Sequence, residues 1–355
     1  MSDLNHKKTA FVFSGGASLG SIEVGALKAI VEHGAQADIV LGTSVGSLNG
    51  AMFAYDPTLV GVKVMEDVWK DVKTKNVFTP SPITPVVNLT TAGQYFISPK
   101  NLRKLIKEKL PFINIEDTKI PLYIIGSDIK TGKEIVFDKG LALEALMSSA
   151  AIPGVFPPQH MYDHTIIDGG IVNNTPISTA FRLGAERAVI FPIGIPTPNK
   201  EPKNVMEILI RVFFYLLNRI LTTDIHLYKD KMELIFVPPP MDVDVGPHDF
   251  SQSEKLIDEA YATARIWLET EGYKSNVEKY DLPSDVHSTG IIFRKAIEPD
   301  PEKKPVTRVK DSLQERSQKL KSSLSKTADE LKTGFKETTN EIKKKLSKKE
   351  TDKEN

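Results

Sequence analysis

The sequence predicts an α/β protein with a mainly parallel central sheet. Over roughly the first 290 residues, short apolar runs alternate with stretches of helical periodicity, the pattern of parallel strands joined by helices. The last three of these runs do not alternate apolar with polar residues as strands of a half-exposed sheet do. Continuous apolar runs of this kind are typical of strands buried on both faces. The predicted strands are Ala10–Phe13, Ile39–Leu41, Leu122–Ile125 and Ala188–Ile193.

Helical periodicity follows most of these runs. The proline-rich stretch Thr79–Pro85 is interpreted as a loop over one face. Val205–Leu221 is the most apolar long stretch, but charged residues recur in it at helical spacing, so we expect an amphipathic helix and no transmembrane span. The predicted helices are Leu19–His33, Val45–Ala54, Pro99–Lys109, Leu141–Ser148, Pro176–Leu183 and Leu256–Gly272, the last ending at a glycine that suits a C-cap.

Composition and charge exclude several classes of protein. The chain has 355 residues, and 40% of them are hydrophobic, which is enough for a core. Lys and Arg number 46, as do Asp and Glu, and this balance argues against a protein built throughout to bind nucleic acid. With zero cysteines, disulfide scaffolds, cysteine-ligated zinc sites and thiol nucleophiles are excluded. The N-terminal residues do not resemble a secretory signal, so we expect a cytoplasmic protein.

The C-terminal part of the chain has a different composition. Prolines mark a linker over residues 291–307, between a first domain at 8–290 and a tail at 308–355. Two apolar columns and one lysine column recur in the tail every eleven residues, which keeps each column on one line of a helix. This predicts an amphipathic helix that binds a membrane or lipid surface, with a solvated helix or a coiled-coil strand as the alternative. The columns are Val309, Leu320, Leu331 and Ile342; Leu313, Leu324, Phe335 and Leu346; and Lys310, Lys321, Lys332 and Lys343.

One pentapeptide carries the strongest catalytic signal. Gly42-Thr43-Ser44-Val45-Gly46 lies between a predicted strand and a predicted helix, which is the context of a nucleophile elbow. The two glycines allow a sharp turn that exposes the Ser44 hydroxyl at a helix N-terminus, where the helix dipole favours developing negative charge. Taken alone, the pattern also fits an ordinary glycine-rich turn.

A second glycine-rich loop follows the first predicted strand, in residues Ser14–Gly20. It lacks the Gly-Lys-Ser/Thr ending of a P-loop, and its glycine spacing differs from the dinucleotide fingerprint. An oxyanion hole fits better, because it needs only backbone donors near a nucleophile. A tight strand-to-helix turn with packing glycines is the alternative.

A serine nucleophile needs a base, and none of the seven histidines lies in a recognisable triad context. Asp168 is distinctive, because an apolar approach and the following Gly169-Gly170 place its carboxylate at the end of a strand. A carboxylate that contacts the serine can act as the base when partial desolvation raises its pKa. A structural Asp-Gly turn is the alternative.

In this order, the three motifs resemble those of the patatin-like phospholipases, of the bacterial type. Ser148–Pro158 is similar to the family's segment before its catalytic aspartate, and Ile171–Ile177 to the segment after it. The resemblance is specific over residues 8–195 and looser over 196–275. It implies a three-layer α/β/α sandwich, no metal or other cofactor, and a lipid acyl hydrolase of phospholipase A or lysophospholipase type.

The resemblance also implies roles for individual residues. Ser44 is the nucleophile and Asp168 its general base, with no histidine. Backbone N–H groups around Gly15, Gly16 and Ala17 form the oxyanion hole, and the substrate is a phospholipid or an acyl glycerol.

The glycine loop departs from the family's pattern at two positions. Where the family commonly has a third glycine and a basic residue, this chain has Ala17 and Leu19. Alanine tolerates a left-handed backbone less well than glycine. Because Leu19 adds no positive charge beside the oxyanion, we expect a less anionic or more apolar substrate.

Two other functions remain open at this point. Eleven-residue repeats resemble those of proteins that coat lipid surfaces, so the chain could be a coat with a vestigial hydrolase. A transacylase would pass the acyl group from Ser44 to an alcohol instead of water.

The stretch Val205–Tyr228 is interpreted either as a cover over an acyl-chain entrance or as a core helix. We expect the protein at the inner face of the membrane or on lipid inclusions.

Overall fold

Eight strands form one sheet in the part of the chain that the computed structural model describes, namely residues 6–78, 97–193, 201–203, 205–240, 243 and 245–280. Five neighbours, in the order β3-β2-β1-β7-β8, run parallel, and the other three are joined to the sheet by antiparallel pairings, β4 and β6 with β3 and β5 with β6. The predicted mainly parallel sheet is therefore confirmed. The strands are β1 (Thr9–Phe13), β2 (Ile39–Thr43), β3 (Leu122–Asp128), β4 (Glu134–Phe137), β5 (Gln159–Met161), β6 (His164–Asp168), β7 (Arg187–Phe191) and β8 (Glu233–Phe236).

The predicted helices are found within three residues at each end. Gly272, just after the last of them, has φ 81°, the left-handed conformation expected of a glycine C-cap. The predictions for Thr79–Pro85, for the linker at 291–307 and for the tail at 308–355 lie outside the described residues. The helices are α1 (Gly20–Glu32), α2 (Val45–Tyr55), α3 (Leu59–Asp71), α4 (Thr74–Val77), α5 (Lys100–Lys109), α6 (Ala142–Ser149), α7 (Gly170–Asn173), α8 (Ile177–Arg182), α9 (Val205–Tyr228) and α10 (Ser253–Thr270).

Hydrophobic clusters cover both faces of the sheet. Successive side chains of a strand point to opposite faces. In β1, accordingly, Phe11 and Phe13 enter one cluster, while Ala10 and Val12 enter the other. Helices α1, α2, α3, α5, α6 and α10 supply the first cluster, and α8 and α9 supply the second. The architecture is thus the expected three-layer α/β/α sandwich.

The pairing of β3 brings two strand ends together. Gly126 pairs with both β4 and β6, and Ile125 pairs with both β2 and β4, so β2 and β6 share the edge of β3 opposite β4. Along that edge, Thr43 of β2 is opposite Ile125, and Asp168 of β6 is opposite the next residue, Gly126. Two strands of opposite direction therefore meet end to end at residues 43 and 168.

The longest described helix is α9, with 24 residues. Neither it nor any other described helix combines the length and the apolar character that a bilayer-spanning segment requires. The expectation of an amphipathic α9 agrees with this finding for the described residues.

Candidate active site

The turn from β2 into α2 holds Ser44 on a strained backbone. Ser44 has φ 54° and ψ −125°, a combination that residues other than glycine rarely adopt. A Cβ atom at Gly42 would lie 2.4 Å from the Gly46 carbonyl oxygen, and one at Gly46 would lie 2.6 Å from the Phe13 carbonyl oxygen. Larger residues are therefore excluded on both sides of the turn. Such strain costs about 1–3 kcal/mol and is concentrated at functional sites.

Ser44 and Asp168 form a direct hydrogen bond. The Ser44 hydroxyl donates to Asp168 Oδ2 at 2.5 Å, and the Gly170 N–H donates to Asp168 Oδ1 at 2.8 Å. Asp168 is 2% exposed. Burial raises its pKa to about 6, although the two hydrogen bonds partly oppose this. The carboxylate can therefore accept the serine proton near neutral pH.

The C-terminal end of α6 supports the serine backbone. Ser149 Oγ accepts a hydrogen bond from the Ser44 N–H at 2.8 Å and donates one to the Ile125 carbonyl at 2.5 Å. The Gly169 N–H donates to the Ser149 carbonyl at 3.3 Å. One serine thus contacts the backbones of the nucleophile turn, of β3 and of the aspartate turn. Sequence analysis assigned Ser149 no role, although it lies in the segment similar to the family.

The first glycine loop lies against Ser44 and is clamped by Asn174. The Gly15 N–H donates to the Asn174 carbonyl at 3.2 Å, and Asn174 Nδ2 donates to the Gly15 carbonyl at 3.0 Å. A Cβ atom at Gly15 would lie 3.0 Å from Ser44 Cβ and 2.4 Å from Asn174 Oδ1, so no side chain fits there. Because the Gly15 N–H is engaged, the loop's next two N–H groups, those of Gly16 and Ala17, are the better oxyanion candidates.

Ala17 and Leu19 are the two departures from the family's loop. Ala17 has φ 54°, the left-handed region that favours glycine, and it lines the same cavity as Ser44. Leu19 is completely buried in the hydrophobic core. The Leu19 side chain therefore has no access to a lipid head group, and the expectation of a less anionic or more apolar substrate stays a prediction.

A buried polar network fixes the base of the glycine loop. Glu23 Oε1 accepts from the Ser14 N–H at 2.6 Å, and its Oε2 accepts from Asn49 Nδ2 at 2.8 Å. Asn49 Oδ1 in turn accepts from Trp69 Nε1 at 2.9 Å. Burial raises the pKa of Glu23 well above its usual value. Sequence analysis missed this network, because its members are far apart in the chain; the only local signal was an acidic residue within an apolar helix.

An apolar cavity opens beside Ser44 on the face of the sheet that α2 covers. Four residues of α2 line it, Val45, Leu48, Asn49 and Met52. Its wall is almost entirely hydrocarbon, which suits an alkyl chain better than a polar ligand. Elsewhere the lining comes mainly from α3 (Met65, Val68, Trp69), from α5 (Leu102, Leu105, Ile106) and from Ile152, Phe156 and Phe250.

The solved structures that the chain matches are distant. VipD from Legionella pneumophila matches with a TM-score of 0.38 and 13% identity, over 74% of this chain and 67% of that one. Human GIVD cytosolic phospholipase A2, in complex with methyl gamma-linolenyl fluorophosphonate, matches with a TM-score of 0.41 and 12% identity, over 78% and 59%. These similarities are too low to carry a conclusion about activity.

The sequence itself has more informative relatives. The family model for patatin-like phospholipase matches residues 11–181, which include Ser44 and Asp168. Patatin-like phospholipase domain-containing protein 7 of Rattus norvegicus is 29% identical over 187 residues, 52% of this chain and 13% of the rat protein. Neuropathy target esterase sws of Drosophila melanogaster is 28% identical over 193 residues, 54% and 13%. The chain thus spans less than a fifth of these relatives' length. Residues 11–181 of the chain therefore match the patatin-like phospholipase family.

Proposed function

We propose that this chain is a lipid acyl hydrolase in which Ser44 and Asp168 form a catalytic dyad. The observation that carries the proposal is the hydrogen bond between Ser44 Oγ and Asp168 Oδ2, at the mouth of an apolar cavity. The hydroxyl is aimed at a carboxylate whose raised pKa suits it to act as a base. The match to the family model supports the same chemistry.

In the first half of the reaction, Ser44 Oγ attacks the carbonyl carbon of a lipid ester while Asp168 takes its proton. The tetrahedral oxyanion accepts hydrogen bonds from the N–H groups of Gly16 and Ala17. When the intermediate collapses, the alcohol leaves with the proton that Asp168 had taken, and the acyl group stays on Ser44.

In the second half, water attacks the acyl-Ser44 carbonyl and Asp168 accepts a proton from it. Collapse of this intermediate releases the fatty acid, and Asp168 returns the proton to Ser44 Oγ. The cavity beside Ser44 holds the acyl chain during both halves, since its wall is apolar. We propose a phospholipase A or lysophospholipase type of activity, on phospholipids or acyl glycerols.

Fatty-acid release from vesicles of mixed phospholipid and diacylglycerol tests the proposal. Release by the native chain and its loss in Ser44→Ala, with vesicle binding retained, are the expected results. Ser251→Ala is the matched control, because Ser251 is an exposed serine outside the site. Binding without release by the native chain would favour the lipid-coat alternative. Transfer of the acyl group to added glycerol, at the expense of free fatty acid, would favour a transacylase.

We also propose that the tail, residues 308–355, holds the enzyme on a membrane or lipid-inclusion surface on the cytoplasmic side. Its eleven-residue apolar columns and flanking lysines support this, because lysine can reach anionic head groups while the stripe lies in the interface. Tethering raises the local substrate concentration without changing the chemistry at Ser44.

A further inference from the structure

The connection of α9 gives the helix a direction. It links β7 to β8, which are parallel neighbours, so it must run from the carboxyl edge of the sheet back to the amino edge. Ser44 follows β2, which is parallel to β7 through β1. The N-terminus of α9 therefore lies at the same edge of the sheet as the nucleophile.

The helix is too long to stay within the sheet. Its 24 residues extend about 36 Å, whereas the five residues of β7 extend about 17 Å. Among the described α9 side chains, those that join the hydrophobic cluster on this face are Leu221, Ile225 and Tyr228, all in the last two turns. The helix also packs near α7, which begins two residues after Asp168. The described side chains in the N-terminal half of α9 join neither hydrophobic cluster, although Phe214 is buried. This half therefore projects past the carboxyl edge of the sheet where Ser44 lies, which is called the catalytic edge here. Residues 207–216 are called the α9 overhang.

The α9 overhang presents an apolar face to solvent. Five of its side chains are 46–58% exposed: Ile208, Leu209, Val212, Tyr215 and Leu216. Their spacing places them on one side of the helix. A contiguous exposed apolar patch of this kind is characteristic of a surface that binds a partner or a membrane.

The same side of α9 becomes polar farther from the catalytic edge. The exposed residues that continue the middle of this side are Arg219, Thr223 and His226, while the exposed Leu227 lies at its margin. Tyr215, whose ring is suited to the boundary between hydrocarbon and water, lies at the transition. The helix is thus apolar at one end and polar at the other along a single face. The polarity of a bilayer changes in the same way along its normal, from hydrocarbon to head groups. A protein partner would not require polarity to change along the helix axis.

We propose that the α9 overhang inserts its apolar face into the surface of the lipid bilayer that contains the substrate. The inference rests on the proposed function, and it identifies the part of the folded domain that meets the lipid. Insertion to a depth of about 5–10 Å, typical of interfacial helices, brings the catalytic edge to the head-group layer. An acyl chain can then pass from the bilayer into the cavity at Ser44 without crossing water.

A site-specific fluorescent probe tests the insertion. Because the chain has zero cysteines, Val212→Cys gives a unique attachment point for an environment-sensitive dye. The full-length chain carries Ser44→Ala as well, so that no hydrolysis alters the vesicles. Ile266→Cys on α10 is the matched control, since Ile266 is an apolar helix residue, 61% exposed, on the other face of the sheet. With phosphatidylcholine–phosphatidylglycerol vesicles, the emission at position 212 is expected to shift to the blue, and that at 266 to stay unchanged.

Three results would overturn the inference. One is an absence of any shift at position 212 when the vesicles are bound, and another is an equal shift at positions 212 and 266. The third is a blue shift without vesicles that grows with protein concentration, since a second copy of the chain would then cover the face. The probe does not depend on hydrolysis, so a shift at 212 together with an inactive native chain would leave the inference standing and reject the proposed function.

Introducing negative charges into the α9 overhang adds a catalytic readout. In the double variant Val212→Glu/Leu216→Glu, hydrolysis of vesicle lipid is expected to fall at least about tenfold, since burying the new charges in the interface is costly. Hydrolysis of a soluble short-chain ester should stay within about twofold, as should both activities in the control Ile266→Glu. An equal fall with both substrates would overturn the inference, because the overhang would then support the site itself.

Discussion

Burial determines what the carboxylate at position 168 can do. An exposed aspartate is too weak a base to take a serine proton at neutral pH. Asp168 is enclosed between β3, the nucleophile turn and the Gly169-Gly170 turn, and desolvation raises its pKa to about 6. The same enclosure brings it to 2.5 Å from Ser44 Oγ. Position and basicity thus have one cause, which supports the proposed role of Asp168 as the base in a dyad without a histidine.

The pH dependence of hydrolysis follows from this pKa. We expect kcat/KM for a soluble ester to fall about tenfold per pH unit below pH 6, because the base must be ionised. Initial rates across pH 4.5–8.5 measure this limb, and circular dichroism at each pH controls for unfolding. A limb centred near pH 4 would contradict the assignment of Asp168 as a desolvated base.

Asp168→Asn should remove activity and increase stability at neutral pH. The native carboxyl has a folded pKa of about 6 and an unfolded value near 3.8, so the folded state is relatively stabilised below pH 3.8 and loses that contribution as pH rises to 6. The asparagine variant has no such loss. Its free energy of unfolding relative to the native chain should therefore rise by about 3 kcal/mol between pH 3.5 and pH 7. Urea denaturation at both pH values measures this, and a pH-independent difference would contradict it.

Ser44 and Asp168 could be predicted from the sequence because each lies in a local motif with glycine neighbours. Asn174, Ser149 and Glu23 could not be assigned, because their hydrogen bonds join segments distant in the chain. The burial of Leu19 could not be predicted for a related reason, since the family's pattern locates a position in the loop but does not indicate which way its side chain points.

At the level of elements, α6 contributes through its last turn. Ser149 satisfies the Ser44 N–H and the Ile125 carbonyl, and both groups are buried. In Ser149→Ala they lose their partner, so we expect a loss of about 2 kcal/mol in unfolding free energy and a lower kcat, with KM nearly unchanged. Thermal denaturation and ester kinetics test this.

The neighbouring Ser148 provides the control for that variant. Its hydroxyl bonds to the Glu144 carbonyl within the same helix, an interaction whose loss costs about 0.5 kcal/mol or less. Ser148→Ala should therefore leave kcat unchanged. Equal effects of the two substitutions would show that the Ser149 bonds do not position the nucleophile.

The predicted strands were found because they are apolar and central in the sheet. The three strands that form antiparallel pairs were less accessible to sequence analysis. β4, β5 and β6 have four, three and five residues, and β5 reads Gln-His-Met, with no apolar run. Their pairing with β3 and with each other depends on distant contacts rather than on local pattern. Yet the meeting of β6 with β2 is what brings Asp168 to Ser44, so the sequence identifies the two residues without revealing the geometry that joins them.

The α2 helix sets the depth of the cavity. Met52 lies about 10 Å along the axis from Val45, and both line the cavity. Met52→Trp should shorten the space for an acyl chain. We expect kcat/KM for long-chain esters to fall at least about tenfold, while butyrate esters are hydrolysed as before. A chain-length series measures this, and Leu59→Trp, at an exposed apolar position on α3, is the control. Unchanged chain-length preference would mean that the acyl chain lies elsewhere.

In the molecule as a whole, the catalytic edge separates two apolar features that lie on opposite faces of the sheet. The cavity belongs to the face covered by α2, α3 and α5, and the α9 overhang belongs to the face covered by α8 and α9. Ser44 lies at the edge between them. If the overhang rests in the bilayer, a lipid reaches the serine at the membrane surface, and its acyl chain occupies the cavity on the other face.

The tail and the α9 overhang then make separable contributions to membrane binding. Residues 1–286 form one compact unit, so a chain truncated after Val286 can be compared with the full chain. We expect truncation to weaken binding to anionic vesicles at least about tenfold and to lower vesicle hydrolysis, because one of two linked lipid contacts is lost. Hydrolysis of a soluble butyrate ester should remain unchanged.

In the truncated chain, the probe at position 212 should still shift to the blue, but only at a higher lipid concentration. Equal binding of the two chains would reject the tail as a lipid anchor, whereas loss of the position 212 response at saturating lipid would mean that the overhang contacts the bilayer only when the tail holds it there.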